Sequence, residues 1–316
     1  MTPVFKPVHI SRRSRFIIWL LRVFLRPWLA RSIRGSDEKI GRIQLSMSGM
    51  RCRNTHGLTL AYTVVGQVPG HVLGSLADTG KPVLLWLHGG AFILPASPPA
   101  HIEMVARLCK KLDAVGFLPD YRLAPRNRFP AALDDCDRAY AALLTLGFAP
   151  GRIVLGGDSA GGNLALGVLQ RIRKHGLPMP ACAMLCSPAT EMGRIHAPPS
   201  RALKMKRDPI LPIASFQRVD ELYCGDWDAS DPELSPLYAD CKHFPPLFFL
   251  ATDNEVLMDD SILMAQRASA AGVEVRCEIW PLLPHAFPLF GAAFPKEVHE
   301  ALADMLGFMQ AHIRPT

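Results

Sequence analysis

The feature that most constrains this chain is residues 153–164, where an apolar run meets a cluster of glycines around one serine. The β-branched and leucine residues at 153–155 are typical of a buried strand, and the alanine and leucines after the glycines are typical of a helix. Glycines in the pattern Gly157-x-Ser159-x-Gly161 permit a turn that larger residues would obstruct. The segment therefore predicts a strand, a strained turn that exposes Ser159, and a helix N-terminus beside the serine hydroxyl.

The rest of the chain alternates apolar runs with stretches of helical spacing, which predicts a doubly wound, mostly parallel α/β sheet with helices on both faces. Besides the strand before Ser159, we predict strands at 60–65, 83–87, 114–118, 181–186, 247–251 and 273–279. Besides the helix after it, we predict helices at 101–112, 131–146, 260–271 and 296–313. Residues 66–80 are rich in glycine, proline and polar residues, so we predict a loop there.

The segment 189–245 stands outside this alternation. It contains seven prolines and shows no sustained apolar period. A stretch of this kind between two sheet strands is an insertion, and such insertions commonly serve as a lid or cap.

The first 34 residues carry the whole excess of positive charge. They hold eight Lys and Arg side chains and no Asp or Glu, which leaves 27 basic and 28 acidic side chains in the rest of a chain with a formal net charge of +7. A nearly neutral body lacks the basic surface that nucleic-acid-binding domains present. We therefore predict no nucleic-acid partner.

Within this N-terminal arm, residues 16–26 are predicted to form an amphipathic helix that Pro27 ends or kinks. One stripe of the helix is basic, with Arg12, Arg15, Arg22 and Arg26. Two interpretations stay open: the apolar face covers the body or a pocket, or residues 1–34 make a peripheral contact with an anionic membrane. Arg22 interrupts the apolar run, so we predict neither a spanning helix nor a signal peptide.

The eight cysteines predict free thiols rather than a disulfide framework. Only Cys182 and Cys186 lie close together in sequence, and no second pair completes a metal site. Buried thiols suit a reducing compartment. We therefore expect a cytoplasmic protein, at most peripheral to a membrane, that needs no metal or organic cofactor.

Residues able to do chemistry follow four of the predicted strands, and the carboxyl ends of parallel strands meet at one edge of a sheet. These residues are Gly89 and Gly90, Ser159, an acid between 253 and 260, and His285. Two glycines after a buried strand can turn backbone N–H groups towards a developing oxyanion. His88, directly before them, is interpreted as a support for this loop rather than as an acid or base.

A serine hydroxyl becomes a nucleophile when a histidine takes its proton and an acid orients that histidine. We predict that Ser159 and His285 form such a pair. The competing histidines are poorly placed, since His243 precedes a strand and His299 and His312 lie on the last helix.

The acid is a choice between Asp253 and Glu255, which directly follow a strand. Asp259 and Asp260 suit the start of the next helix, where carboxylates cap N–H groups and favour the helix dipole. The residues alone leave the choice between Asp253 and Glu255 open.

Five segments between about residues 80 and 290 carry longer motifs. They are HGGAF at 88–92, DYRLAP at 120–125 with FPAA at 129–132, GDSAGGNL at 157–164, DPELSPL at 231–237 and HAF at 285–287. Together they resemble the hormone-sensitive-lipase family of α/β-hydrolases, in its bacterial carboxylesterase branch.

The resemblance implies a serine carboxylesterase or lipase that cleaves short- to medium-chain acyl esters through an acyl-enzyme. Glu255 lies over the acid of the family's D-P-L-x-D pattern, so the resemblance favours Glu255 with His285 and Ser159. It also implies an oxyanion hole built by Gly89, Gly90 and Ala160. Ala91 replaces a glycine of the commoner motif, and its N–H is retained.

The resemblance further implies two parts, an N-terminal cap segment at 1–45 and a hydrolase domain at 46–316 with a cap insertion at about 190–225. The partner is then a small acyl ester, and a homodimer is an open expectation. Two alternatives keep the same fold: a deacetylase or amidase that uses the same triad, and a hydrolase-like binding protein without turnover.

Overall fold

The computed structural model describes residues 1–193, 198–212 and 215–315, and a nine-stranded sheet forms its centre. The strands are β1 (Val4–Phe5), β2 (Leu60–Val65), β3 (Val68–Leu73), β4 (Val83–Leu87), β5 (Val115–Pro119), β6 (Ile153–Asp158), β7 (Cys182–Cys186), β8 (Leu247–Thr252) and β9 (Val275–Trp280). The helices are α1 (Arg12–Leu20), α2 (Arg26–Ile33), α3 (Asp37–Ser48), α4 (Pro98–Leu112), α5 (Ala131–Thr145), α6 (Ala160–Lys174), α7 (Pro199–Leu203), α8 (Phe216–Tyr223), α9 (Met258–Ala270) and α10 (Pro295–His312).

The strands lie in the order β1-β9-β8-β7-β6-β4-β5-β3-β2. In this spatial order, every neighbouring pair from β1 at one end to the β4–β5 pair is parallel. The last two pairs, β5 with β3 and β3 with β2, are antiparallel. The strands β4 to β8 are buried at every residue, as expected when helices cover both faces. The predicted α/β fold with a mostly parallel sheet is confirmed.

The prediction of a loop at 66–80 is wrong in its first half, because Val68–Leu73 forms β3. Gly66 and Gln67 both have positive φ, and they make the two-residue turn that pairs β2 with β3. The sequence predicted a loop instead of this strand because the strand contains a glycine, Gly70. A Cβ at Gly70 would lie 2.5 Å from the carbonyl oxygen of Leu118, so this position needs glycine for close strand packing.

The turn between β6 and α6 has the strain that the sequence predicts. Ser159 has φ 54° and ψ −118°, a backbone conformation that residues other than glycine rarely adopt. A Cβ at Gly161 would lie 1.9 Å from the carbonyl oxygen of Leu87, and one at Gly157 would lie 2.3 Å from that of Gly161. The glycines therefore let α6 approach β4 and β6 closely enough to hold the serine above the sheet edge.

The helices α1 and α2 form one continuous rod, because a π-helical turn at Leu21–Leu25 joins them. Pro27 does not end this helix. It is the second residue of α2, so the irregular hydrogen bonding of the π-helical turn lies directly before the position where the proline N–H is missing.

The outer edge of β9 is covered by the start of the chain. Val4 and Phe5 pair with β9 in parallel, and the N–H of Lys6 donates to the carbonyl of Ile279 over 2.9 Å. The Lys6 Nζ forms an ion pair with Asp304 of α10 over 2.7 Å.

We use the name cap for α1 to α3 together with the segment that carries α7 and α8, the two parts that the sequence resemblance predicts to form one. Arg22 donates from its guanidinium to the carbonyl of Arg207, and Arg26 donates to that of Met205 over 2.6 Å. These contacts join two segments that are far apart in sequence. Residues 194–197 and 213–214 of the predicted insertion at 190–225 lie outside the described residues.

Seven of the eight cysteines are buried and Cys52 is partly buried, and all are free thiols. Within the described ranges, no helix combines the length and the apolar character needed to cross a bilayer.

Candidate active site

The carboxyl edge of the sheet brings together the four groups that the sequence selected. Ser159 follows β6, the glycine loop follows β4, Glu255 follows β8, and His285 follows β9. Ser159 and His285 line one cavity together with Gly89 and Gly90. Segments separated by up to about 200 residues of sequence thus meet at one place.

His285 is bound to Glu255. Its Nδ1 donates to Glu255 Oε2 over 2.5 Å, and the glutamate side chain is fully buried. The other carboxylate oxygen accepts the N–H of Thr252 over 2.7 Å and the hydroxyl of Ser187 over 2.8 Å. These bonds fix the carboxylate, which in turn fixes the orientation of the imidazole ring.

The other candidate acids have different partners. Asp253 accepts the N–H of Leu282 over 2.7 Å, so it stabilises the loop after β9. Asp259 accepts the N–H of Ser200 over 2.8 Å. Asp260 is buried and bound to cap residues, Arg201 and Thr190. Of these four acids, Glu255 is the one with a hydrogen bond to His285 in the described structure.

The charges around His285 favour its protonated form. Burial by itself would lower the pKa of His285, since it penalises the imidazolium. The hydrogen bond and charge of Glu255 outweigh this penalty, and the carboxylates of Asp208 and Asp158 act in the same direction. The pKa of His285 is therefore raised above its ordinary value of 6.5.

Asp158, the residue before the serine, anchors the glycine loop. Its carboxylate accepts the indole N–H of Trp86 and the N–H of Gly89, both over 3.0 Å, and lies 3.3 Å from His101 Nε2. The N–H of Gly89 therefore already has a hydrogen-bond acceptor within the protein. A donor held by a buried carboxylate is less available to a substrate, so this bond favours the neighbouring amides over Gly89 as oxyanion donors.

The next two amides of the loop are arranged differently. In the described part of the chain, the N–H groups of Gly90 and Ala91 donate to no protein acceptor, and neither does that of Ala160 at the start of α6. Gly90 has φ 131°, and Ala91 and Phe92 have φ 55° and 61°. The loop therefore has a strained backbone whose donors are left for another group.

His88 supports the loop from below, as the sequence interpretation expects. Its ring is fully buried, stacks on Tyr121 with the centroids 4.2 Å apart, and contacts the carbonyl of Gly89 over 2.8 Å. The Tyr121 hydroxyl donates to the His88 carbonyl over 2.6 Å. Burial lowers the pKa of His88 to about 4, so this ring stays neutral near pH 7.

Two cavities meet at Ser159, and they differ in size and lining. The small cavity has a volume of about 60 Å³, and its walls include Met192, Phe216 and Val219 of the cap insertion. The large cavity has a volume of about 190 Å³. Its walls include His285, Leu29 and Ile33 of α2, Met47 of α3, and Leu289 and Phe290.

Two residues of this site escaped the sequence analysis. Ser187 bridges the site, since its hydroxyl donates to Glu255 and accepts the N–H of Ala286 over 3.2 Å. Asp208 is a buried cap residue whose carboxylate accepts the N–H of Val256 over 2.9 Å, next to Glu255. Neither belongs to a motif with a fixed spacing, and a Ser-Pro after a strand was the only local signal for Ser187.

No group of three or more potential metal ligands occurs among the residues that the structure describes. The histidines that the sequence set aside lie elsewhere, with His243 before β8 and with His299 and His312 on α10.

Comparison with known proteins gives consistent results. A family model described as alpha/beta hydrolase fold matches residues 84–289. The chain is 36% identical over 213 residues to an acetyl-hydrolase of Streptomyces hygroscopicus, covering 67% of this chain and 70% of that protein. It is 34% identical over 230 residues to the esterase LipU of Mycobacterium tuberculosis, covering 70% and 75%. A crystal structure of an esterase from the bacterial hormone-sensitive lipase family matches with a TM-score of 0.84 and 29% identity, over 97% of this chain and all of that one.

Proposed function

Because the chain belongs to the hormone-sensitive-lipase family of α/β-hydrolases and is a carboxylic ester hydrolase, we propose that Ser159, His285 and Glu255 form its catalytic triad. The observation that carries the proposal is the hydrogen bond between His285 and the buried Glu255. That histidine shares the large cavity with Ser159, which stands on the strained turn before α6.

In this proposal His285 accepts the Ser159 proton at Nε2 while the serine oxygen attacks the ester carbonyl. Glu255 holds the Nδ1–H tautomer and stabilises the imidazolium that forms. His285 then protonates the departing alcohol and the acyl-enzyme remains on Ser159. Water, deprotonated by the same histidine, releases the acid and restores the enzyme.

The proposed oxyanion hole uses the amides of Gly90, Ala91 and Ala160. Free donors next to the nucleophile support this assignment, and preorganised N–H groups are worth most where charge develops in the transition state. The Gly89 amide is assigned to holding the loop through Asp158.

The two cavities fit the two halves of an ester. The leaving oxygen must lie within reach of His285, because the histidine donates a proton to it. We therefore place the alcohol part in the large cavity, which His285 lines, and the acyl part in the small cavity, which it does not.

The volume of the small cavity favours short acyl groups. Since a cavity needs about 10–15 Å³ to hold one water, a cavity of about 60 Å³ holds a chain of a few atoms. Acetyl to butyryl esters are therefore the proposed substrates, at the short end of the predicted range. The acetyl-hydrolase among the relatives supports an acetyl ester in particular.

A deacetylase that cleaves acetyl amides is a second candidate, because the same triad attacks both kinds of carbonyl and the small cavity suits an acetyl group. The apolar walls of the large cavity favour the ester of an apolar alcohol. Comparing an acetyl ester with the acetyl amide of the same aryl group would decide between them.

The proposal is tested with p-nitrophenyl esters from acetyl to decanoyl. We expect kcat/KM to peak between acetyl and butyryl, Ser159→Ala to lose turnover, and a fluorophosphonate to label Ser159 in the wild type. Undiminished hydrolysis by Ser159→Ala would refute the triad. A peak at decanoyl would refute only the substrate assignment.

A cytoplasmic location is a proposal that the buried free thiols support. A homodimer stays a proposal, and it would not form by strand pairing at β9, because β1 already occupies the outer edge of that strand.

A further inference from the structure

The outer side of the cap carries a surface that the proposed function does not use. We define the aromatic–basic face as the exposed side of residues 12–33 together with the adjacent segment 203–207. The two segments are in contact, since Arg22 and Arg26 donate to carbonyls of Arg207 and Met205.

Large apolar side chains are exposed on this face. They are Phe16 (58%), Trp19 (52%), Phe24 (66%), Trp28 (45%) and Leu203 (74%). Phe16 and Trp19 are one turn apart and stack with their ring centroids 5.8 Å apart, and Phe24 and Trp28 are likewise one turn apart. Globular proteins rarely expose so many contiguous aromatic side chains unless the surface binds something.

Positive charge surrounds these side chains. The basic residues are Arg12, Arg13, Arg15, Arg22, Arg26, Arg31, Lys204, Lys206 and Arg207, and residues 1–36 and 198–207 contain no Asp or Glu. In the described chain, none of these nine forms an ion pair with an acid. Their charge is therefore available to a partner that is anionic.

The opposite side of the same rod faces the protein. Ile18 and Ile33 are buried to 7% exposure, and Leu29 and Ile33 line the large cavity beside His285. Whatever binds the aromatic–basic face thus lies directly across α2 from the proposed alcohol site.

We propose that the aromatic–basic face docks the enzyme onto an anionic lipid bilayer. An interfacial helix of this kind inserts aromatic and aliphatic side chains at the boundary between headgroups and acyl chains, while its arginines contact lipid phosphates. The mixture on this face, with leucine beside tryptophan and arginine, matches that environment. A second copy of the chain is a poorer occupant, because a two-fold contact would bring two acid-free basic surfaces together. Nucleic acid would leave Leu203 and Phe24 without apolar partners.

The test is co-sedimentation of the full chain with vesicles of phosphatidylglycerol and phosphatidylcholine, compared with phosphatidylcholine alone. We expect binding to rise with the anionic fraction and to fall as salt is added, because surface charges are screened. The variant Phe16→Ser/Trp19→Ser/Phe24→Ser should bind at least about tenfold more weakly.

A matched control removes exposed apolar side chains outside the aromatic–basic face, from the edge strand β2 and the end of α5, as Leu60→Ser/Val64→Ser/Leu146→Ser. This control should bind vesicles like the wild type. Both variants should hydrolyse a soluble acetyl ester at the wild-type rate, which shows that they are folded. Ser159→Ala should also bind normally, so that the docking result does not depend on the triad.

Three outcomes would overturn the proposal. The first is that the wild type stays in the supernatant at every anionic fraction. The second is that the triple variant pellets as well as the wild type. Alternatively, sedimentation velocity would show a dimer that the triple variant dissociates, which would assign the face to a second copy.

Discussion

The carboxyl edge of the sheet and the cap above it are held by different kinds of contact. At the edge, backbone geometry and buried hydrogen bonds hold each group: Ser159 stands on a turn whose flanking glycines leave no room for a Cβ, and Glu255 accepts from three donors. The cap is held by arginine side chains that donate to carbonyls of another segment, and much of its outer surface is exposed.

Because of this difference, we expect the sheet edge to determine the rate of the chemical step and the cap to determine the choice of substrate. Changes at the edge alter donors and acceptors of single reacting groups, so they should act on the rate of the chemical step. Changes in the cap alter the shape of two cavities, so they should act on the choice of substrate. Asp208 connects the two parts, since it belongs to the cap but binds the loop of the acid.

The largest expected effect comes from the acid at the edge. Glu255→Gln should lower kcat by about 10⁴-fold, because an amide cannot hold the same histidine tautomer or stabilise its charge. Asp253→Asn is the control, since that carboxylate accepts from Leu282 and does not contact His285 in the described structure. Steady-state kinetics with an acetyl ester measure both. Equal losses in the two variants would contradict the assignment.

The next effect concerns the backbone of the edge. Gly161→Ala places a Cβ 1.9 Å from the carbonyl oxygen of Leu87, so we expect the free energy of unfolding to fall by about 3 kcal/mol or more. Gly80→Ala is the control, because a Cβ there meets nothing within 4 Å. Urea denaturation measures both. A fully stable Gly161→Ala would show that α6 can move away from β4.

In the cap, Phe216→Ala should enlarge the small cavity. The ratio of kcat/KM for hexanoyl over acetyl esters should rise by about tenfold, while the rate with the preferred ester changes little. Leu29→Ala, in the wall of the large cavity, is the matched variant and should leave the acyl preference unchanged. The opposite pattern would reverse the assignment of acyl and alcohol sides.

The smallest effect tests the connection between the two parts. His285 acts as a base only when neutral, and its raised pKa makes kcat/KM fall on the acidic side at a higher pH than for an ordinary histidine. Asp208→Asn removes a negative charge that favours the imidazolium, so the acidic limb of the pH profile should move to lower pH. The control Asp113→Asn changes a carboxylate at the end of α4 that forms an ion pair with Lys81, and it should leave the acidic limb in place. A shift to higher pH would contradict this electrostatic effect.

Most of the body was predictable because its signals are local. Buried strands appear as apolar runs, and Ser159 and His285 follow strand ends within motifs of fixed spacing. The strand β3 was missed because its turn and its glycine resemble a loop. The hydrogen bond from the Gly89 amide to Asp158 could not be foreseen, because Asp158 comes from another segment and approaches only in the folded chain. The sizes of the two cavities depend on packing between distant segments, which no spacing encodes.

The unequal origin of the two cavity walls has a consequence for how such enzymes diversify. Among the described residues, the part of the chain before β2 contributes Leu29, Ile33 and Met47 to the large cavity and none to the small one, whereas the part between β7 and β8 lines both cavities. Recombination between related genes just before β2 would therefore exchange part of the wall around the alcohol site and leave the acyl site as it was. A lineage could explore new alcohols in this way while its acyl preference and its hydrolytic machinery are inherited unchanged.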